Sequence, residues 1–241
     1  MSLVIVGLGP GGGDDLTERA RAALEHCTVL AGYSTYVNLV HSQFPDKWIL
    51  STPMRKEEER CRQALEWAQR EDVALVCSGD PGVYGMAGLC LELAAEYPPV
   101  DIEIVSGVTA ATGAASVLGA PLTHDFAVVS LSDLMTPWEV IERRLEAAAQ
   151  ADFVLCLYNP ASYARPEHLR RACDAVLQHR GANTPCGWVR NVGRKGQQSR
   201  ILTLSELRDE QLDMFTTVFI GSSSTRVIRG RLVTPRGYLQ R

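Results

Sequence analysis

The sequence predicts an α/β protein built as two successive halves, and three observations carry that prediction. Residues 73–77, VALVC, are an apolar run without alternation, the pattern of a parallel strand covered on both faces. Four more short apolar runs, LVIVGLG, TVLAGY, WILSTP and DIEIVSG, occupy the first half and are mostly separated by segments of helical period. A second series, FAVVSLS, DFVLCLYN, CGWVRNV, RILTL and TTVFIGS, restarts after the turn-rich APLTHD. The boundary is expected in residues 119–124, giving domains 1–120 and 121–241.

The first run feeds a glycine-rich loop and then a helix, where Asp15 and Glu18 have capping-box spacing and Leu16, Ala20, Ala23 and Leu24 share one face. Between Glu57 and Arg70, Cys61, Ala64, Leu65 and Ala68 form the buried stripe, while Glu58/Arg62 and Glu66/Arg70 are spaced as solvent-facing pairs. VALVC is expected at the centre of the first sheet. Asp80 and Pro81 after it read as a helix start, with Asp80 as cap and a helix from about Tyr84 to Glu96. A further helix runs to about Gly119. In the second half, Thr136-Pro137-Trp138-Glu139 combines a threonine cap, a proline in the first turn and a glutamate three residues after the cap, predicting a helix to about Ala149.

Composition bounds the function. The chain has 241 residues, of which 46% are hydrophobic, and a net charge of −4, so a fold throughout is expected and broad attraction to nucleic acid is not. No apolar segment is long enough to span a bilayer and a strand follows the amino terminus at once, so a cytoplasmic location without membrane partners is expected. Seven cysteines lack CxxC spacing and lie mostly in apolar periodic segments, reading as buried thiols without disulfides or metal. His26, His41, His124, His168 and His179 are scattered, so no metal site is expected and each reads first as structural.

Gly7, Gly9 and Gly12 in VIVGLGPGGGDDLT meet the spacing of a dinucleotide fingerprint. Two features oppose a nicotinamide cofactor: TVLAGYSTY ends without an acid for a ribose hydroxyl, and Pro10 removes an N–H that a pyrophosphate needs. What the strand ends share is glycine: Gly9-Pro10-Gly11, Gly32-Tyr33, Ser78-Gly79-Asp80-Pro81 and Ser106-Gly107-Val108-Thr109-Ala110. Backbone can therefore approach an extended small molecule along one sheet edge.

The order GLGPGGGDDLT, SGDPGVYG, VSGVTAATGAA, YNPAS and FIGSSST resembles the tetrapyrrole methyltransferases over nearly the whole chain. GYSTYV, LSDLMTPWEVIERR, YNPASYARPEHL and TPRGY resemble the branch of cobalamin biosynthesis that methylates carbon 17 of a precorrin or cobalt-precorrin with ring contraction. Ser106 stands where relatives commonly carry proline. The resemblance implies two α/β domains with a cofactor cleft between them, S-adenosyl-L-methionine as cofactor, and a homodimer. It further implies cofactor contacts at Gly9, Pro10, Ser78, Gly79, Asp80, Val83, Thr109, Ala110, Asn159, Pro160 and Gly221. A macrocycle with many carboxylates calls for local cations, for which Arg55, Arg165 and Arg190 are candidates among Lys56, Arg143, Arg194 and Lys195. Tyr33, Tyr36 and Asp133, with Arg55, are the acid–base candidates from their places near predicted strand ends. Methylation at another macrocycle carbon and a non-catalytic nucleotide-binding module stand as alternatives.

Overall fold

The computed structural model describes residues 1–11 and 13–239. Gly12 of the fingerprint spacing lies outside them. The chain divides into two compact units, Met1–Thr109 and Ala110–Arg241.

The first unit holds a wholly parallel sheet in the order β3-β2-β4-β1-β5, formed by β1 (Ser2–Gly7), β2 (Val29–Tyr33), β3 (Trp48–Thr52), β4 (Val73–Cys77) and β5 (Asp101–Val105). All five residues of β4 are buried, as its unbroken apolar run predicts for the central strand. α1 (Glu18–His26) and α2 (Ser34–Val40) supply the core of one face, where Ala20, Leu24 and Val37 meet Val6, Leu30 and Val76. α3 (Glu57–Trp67) and α4 (Ala87–Ala94) cover the other, where Cys61, Leu65 and Cys90 meet Ile5, Ala31 and Leu75.

The second unit begins with α5 (Ala110–Leu118), followed by β6 (Gly119–Ala120), β7 (Phe126–Ser130), α6 (Trp138–Gln150), β8 (Val154–Tyr158), α7 (His168–Leu177), β9 (Pro185–Arg190), β10 (Gln198–Thr203), α8 (Leu204–Arg208), β11 (Thr216–Ile220), β12 (Arg226–Ile228) and β13 (Arg231–Val233). Its main sheet runs β10-β9-β11-β8-β7, in which the β7–β8 pairing is parallel and the other three are antiparallel. β6, β12 and β13 form a small third sheet that the apolar pattern did not reveal, because two- and three-residue strands carry too little period to read. The division falls before α5, whereas the sequence placed it after this helix. Ala111, Ala114, Ala115 and Leu118 pack against Cys156, Val189 and Phe219 of the second sheet, which is why α5 belongs to the second unit.

Local starts also differ from expectation. α1 is capped by Thr17, whose hydroxyl accepts the Ala20 amide, so the expected Asp15–Glu18 box is not the cap. α6 begins at Trp138 with Pro137 as its capping residue and no side-chain cap bond, so Thr136 does not serve there. α4 starts at Ala87, because Tyr84 has φ +52 and leaves the helical path.

Candidate active site

Parallel pairing sends every connection after a first-unit strand out of the same sheet edge. Two of these loops are joined by backbone alone: Gly9 N–H donates to Gly79 O at 3.1 Å and Gly79 N–H to Gly9 O at 2.8 Å. A third packs into them. A Cβ on Gly107 would lie 2.2 Å from Gly79 O, and one on Gly7 would lie 2.5 Å from Gly107 N. These glycines therefore let three loops approach each other, a use the sequence reading had reserved for a ligand. Asp80 completes the join, since one carboxylate oxygen accepts Gly82 N–H at 2.8 Å and the other accepts Gly107 N–H at 3.0 Å. It does not cap α4, whose capping residue Met86 also makes no side-chain cap bond. Pro10 and Gly79 are buried within this edge, while Ser78, Asp80, Val83 and Thr109 are half-buried.

At the same edge, Tyr33 ends β2 and Tyr36 lies in the first turn of α2, which follows it directly. Their rings meet edge to face, 5.0 Å between centroids and 84° between planes. Arg60, which the sequence reading did not single out, is 3% exposed and reaches from α3 to the ends of β2 and β3 and to the connection before α4. Its guanidinium donates to Thr52 Oγ1 at 2.8 Å, Pro53 O at 3.0 Å and Met86 Sδ at 3.2 Å, and lies 5.8 Å from the Tyr33 ring centroid. Arg55 follows β3 on an exposed turn with φ +64. Left-handed backbone at a non-glycine residue costs about 1–3 kcal/mol and concentrates at functional edges. Among the described residues Arg55 and Tyr84 adopt it after β3 and β4, and Asn159 and Asn191 after β8 and β9, while Asp152 before β8 and Arg229 between β12 and β13 adopt it away from this edge.

In the second unit one sheet edge gathers most of the predicted residues. Ser130 pairs with Tyr158 at the ends of β7 and β8, and Asn159 Nδ2 donates to Ser130 Oγ at 2.9 Å. Ala111 N–H donates to Tyr158 Oη at 2.8 Å, bringing the start of α5, with Ala110, to this edge. Asp133 stands in the loop after β7, and Asn159, Pro160 and Arg165 in the loop after β8. Arg190 ends β9 at the same edge and is held by Asp213, with Nη2 at 2.7 Å and Nε at 2.8 Å from Oδ2. Gly221 is the exception. β11 is antiparallel to β8, with Ile220 opposite Leu155, so Gly221 emerges at the other edge of the sheet. There Gly221 O accepts from buried Arg180, which also donates to Phe153 O at 2.9 Å and Ala149 O at 3.2 Å. Gly221, expected as a cofactor contact, is closely packed here, and a Cβ on it would lie 2.6 Å from Pro185 O.

Asp133 is not a free acid. His168 Nε2 lies 2.9 Å from Asp133 Oδ2, and Arg165 Nε lies 3.9 Å from Oδ1. The His168 hydrogen bond, more than the nearby Arg165 charge, holds the Asp133 carboxyl below its ordinary value. An anion so stabilised is a weak base and a good anchor for cations. His168 was read as structural because histidines are scattered in the sequence; its signal was position. It lies in register with the buried stripe Ala172 and Val176 of α7, and it is 8% exposed.

A family model, Tetrapyrrole (Corrin/Porphyrin) Methylases, matches residues 2–208. The chain is similar to a Salmonella typhimurium protein described as "Probable cobalt-factor III C(17)-methyltransferase", with 46% identity over 98% of this chain and 99% of that one. It is similar to the crystal structure of the methyltransferase CobJ, with TM-score 0.88 and 34% identity over 97% and 99% of the two chains. The same fold occurs in uroporphyrin-III C-methyl transferase from Thermus thermophilus complexed with S-adenyl homocysteine, with TM-score 0.70 and 21% identity over 91% and 97% of the chains. With the family model matching residues 2–208 and the likeness to these relatives covering both α/β units, the chain belongs to the tetrapyrrole methylase family.

Proposed function

We propose that the protein transfers a methyl group from S-adenosyl-L-methionine to carbon 17 of cobalt-factor III or a closely related precorrin, with ring contraction, in cobalamin biosynthesis. The observation that carries this reading is the 46% identity, end to end, with the relative described as acting there. The same chemistry at another macrocycle carbon is the runner-up.

The cofactor, when bound, supplies the electrophilic methyl group. We assign the glycine edge of the first unit to it. The donor set there suits a sulfonium: Asp80 presents negative charge while both its oxygens are already engaged by Gly82 and Gly107, so the loop stabilises a cation without offering a reactive nucleophile. Gly9, Pro10, Ser78, Gly79, Val83 and Thr109 border that carboxylate or its loop partners. In the second unit, Ala110, Asn159 and Pro160 keep the roles the resemblance implies, and Arg165 is assigned to a substrate carboxylate. Arg190 is the weaker candidate because Asp213 already neutralises it. Tyr33 and Tyr36 are assigned to the acceptor, where a phenol can donate or take a proton. Orientation of donor and acceptor supplies most of what such a displacement needs from a protein.

The test is direct. Purified protein incubated with S-adenosyl-L-methionine and cobalt-factor III is expected to yield a product heavier by one methyl group, mapped to carbon 17 by NMR. Binding of reduced nicotinamide cofactor with no affinity for S-adenosylhomocysteine would overturn the reading. We propose in addition a cytoplasmic homodimer. All seven cysteines are buried free thiols, which suits a reducing compartment, and among the described residues no helix is long and apolar enough to cross a membrane. Trp48, 72% exposed on edge strand β3, gives an exposed apolar ring suited to a symmetric contact. Sedimentation at micromolar concentration is expected to give a dimer; a monomer alone would contradict it.

A further inference from the structure

The loops after β7 and β8 are locked together by one buried imidazole. His168, the first residue of α7, engages Asp133 Oδ2 at 2.9 Å while its ring meets Trp138 of α6 edge to face at 4.9 Å. Arg171 also packs on Trp138, its guanidinium carbon 4.1 Å from the ring centroid. His168 therefore has a fixed place, and Asp133 is drawn toward it. The consequence falls on Arg165. Its Nε donates to Ser162 Oγ at 3.1 Å, and it stands 3.9 Å from Asp133 Oδ1, beyond hydrogen-bond length. Its Nη1 is buried without an acceptor. Leaving a charged donor unsatisfied is costly, and a carboxylate this close would ordinarily close on a guanidinium in a two-bond fork.

We propose that His168 is a positioning residue that holds Asp133 off Arg165, keeping the guanidinium available for a carboxylate arm of the substrate. The proposal rests on the assignment of Arg165 to substrate made above. Asp133 has two claimants, and His168 wins because its ring is fixed by Trp138 and hydrogen-bonds at 2.9 Å, whereas the Arg165 side chain, 14% exposed, stays open to an incoming anion. Without the imidazole, Asp133 would swing onto Arg165 and neutralise it internally. The substrate would then have to displace a carboxylate already in place.

Steady-state methylation of cobalt-factor III by wild type and five variants tests this, with S-adenosylhomocysteine affinity by calorimetry as the check on folding. His168→Leu is expected to raise KM about tenfold with kcat nearly unchanged, the loss of one charge-assisted contact. His168→Gln, which keeps an N–H for Asp133, is expected to stay near wild type. In an Asp133→Ala background, where nothing remains to be held off, His168→Leu is expected to have no further effect on KM. A crystal structure of His168→Leu is expected to show Asp133 hydrogen-bonded to Arg165. The proposal is overturned if the tenfold effect persists without Asp133, or if Asp133 keeps its distance from Arg165 in the His168→Leu structure. Arg165→Ala separates the two readings: an unchanged KM there removes Arg165 from substrate binding altogether, and with it the purpose of the hold-off.

Discussion

Asp80 shows how a single carboxylate joins the loops of one sheet edge. An aspartate followed by proline reads as a helix start, and the local sequence contains nothing that distinguishes that use from another. In the folded chain its oxygens accept from Gly82 and Gly107, so it ties the loop after β4 to the loop after β5. Asp80→Ala leaves the half-buried Gly107 N–H without its acceptor and the exposed Gly82 N–H to water, and a loss of about 2 kcal/mol in unfolding free energy is expected by urea titration. S-adenosylhomocysteine affinity should fall with it, which calorimetry would read; a stability change with unaltered affinity would separate this loop from the cofactor. Gly79 sharpens the point. Its φ of +68 is a conformation that L side chains rarely adopt, so Gly79→Leu is expected to destabilise the protein as well as block the cofactor, and the fold would not be left largely intact.

The elements differ in how much they owe to their own residues. α8 is marked out locally, because Thr203 and Glu206 satisfy each other's exposed amides in a full capping box. Thr203→Ala is therefore expected to cost about 1 kcal/mol in chemical unfolding while leaving methyl transfer at its wild-type rate. The end of α6 and the starts of β8 and of the turn after β11 depend instead on Arg180, whose buried guanidinium donates to carbonyls of Ala149, Phe153 and Gly221 and pairs with Asp152 at 3.3 Å. Replacing it with methionine strands all three carbonyls, and a destabilisation of about 3 kcal/mol or more is expected. Because these contacts lie at the sheet edge away from Asn159, the folded fraction of Arg180→Met should retain its KM for the macrocycle. A raised KM would show that the two edges are coupled.

Across the whole molecule the acid limb of stability is set by carboxylates held low in the folded state. Asp133 is lowered by the hydrogen bond from His168. At Asp152 burial pushes the carboxyl up, but the Ser223 hydroxyl and amide and the Arg180 charge outweigh it and leave it lowered. Asp72 is lowered first by Ser2 and then by the amino terminus. A carboxylate with a depressed folded pKa binds fewer protons folded than unfolded, so its contribution is complete above the ordinary value of 3.8 and is lost as pH falls below it. Unfolding free energy is expected to be flat in this respect from neutral pH to about pH 5 and then to decline. Asp152→Asn should be less stable than wild type at neutral pH and show a shallower acid decline, measured by urea unfolding from pH 3 to 7. Equal slopes in the two proteins would place the acid sensitivity elsewhere.

All ten of the strands expected from apolar runs are present, and β4 is central, because burial on both faces demands a continuous apolar stretch that no other requirement imposes. The sequence by itself also determined the family and the crowding of glycine at the strand ends, since close backbone approach excludes a Cβ whatever the partner is. It did not determine what approaches those glycines. Gly7, Gly79 and Gly107 meet one another, a contact between residues far apart in the chain that only the parallel pairing creates. Strand direction likewise decided that Gly221 and Asn159 lie at opposite edges, because an apolar pentapeptide reads the same in a parallel or an antiparallel neighbour. His168, Asp133 and Arg165 carry no mutual spacing motif, and their association depends on β7 and β8 lying side by side with their following loops on one edge. Local patterns record which faces are buried; the charge constellation is a product of which strands become neighbours, and that is settled by the packing of the whole sheet.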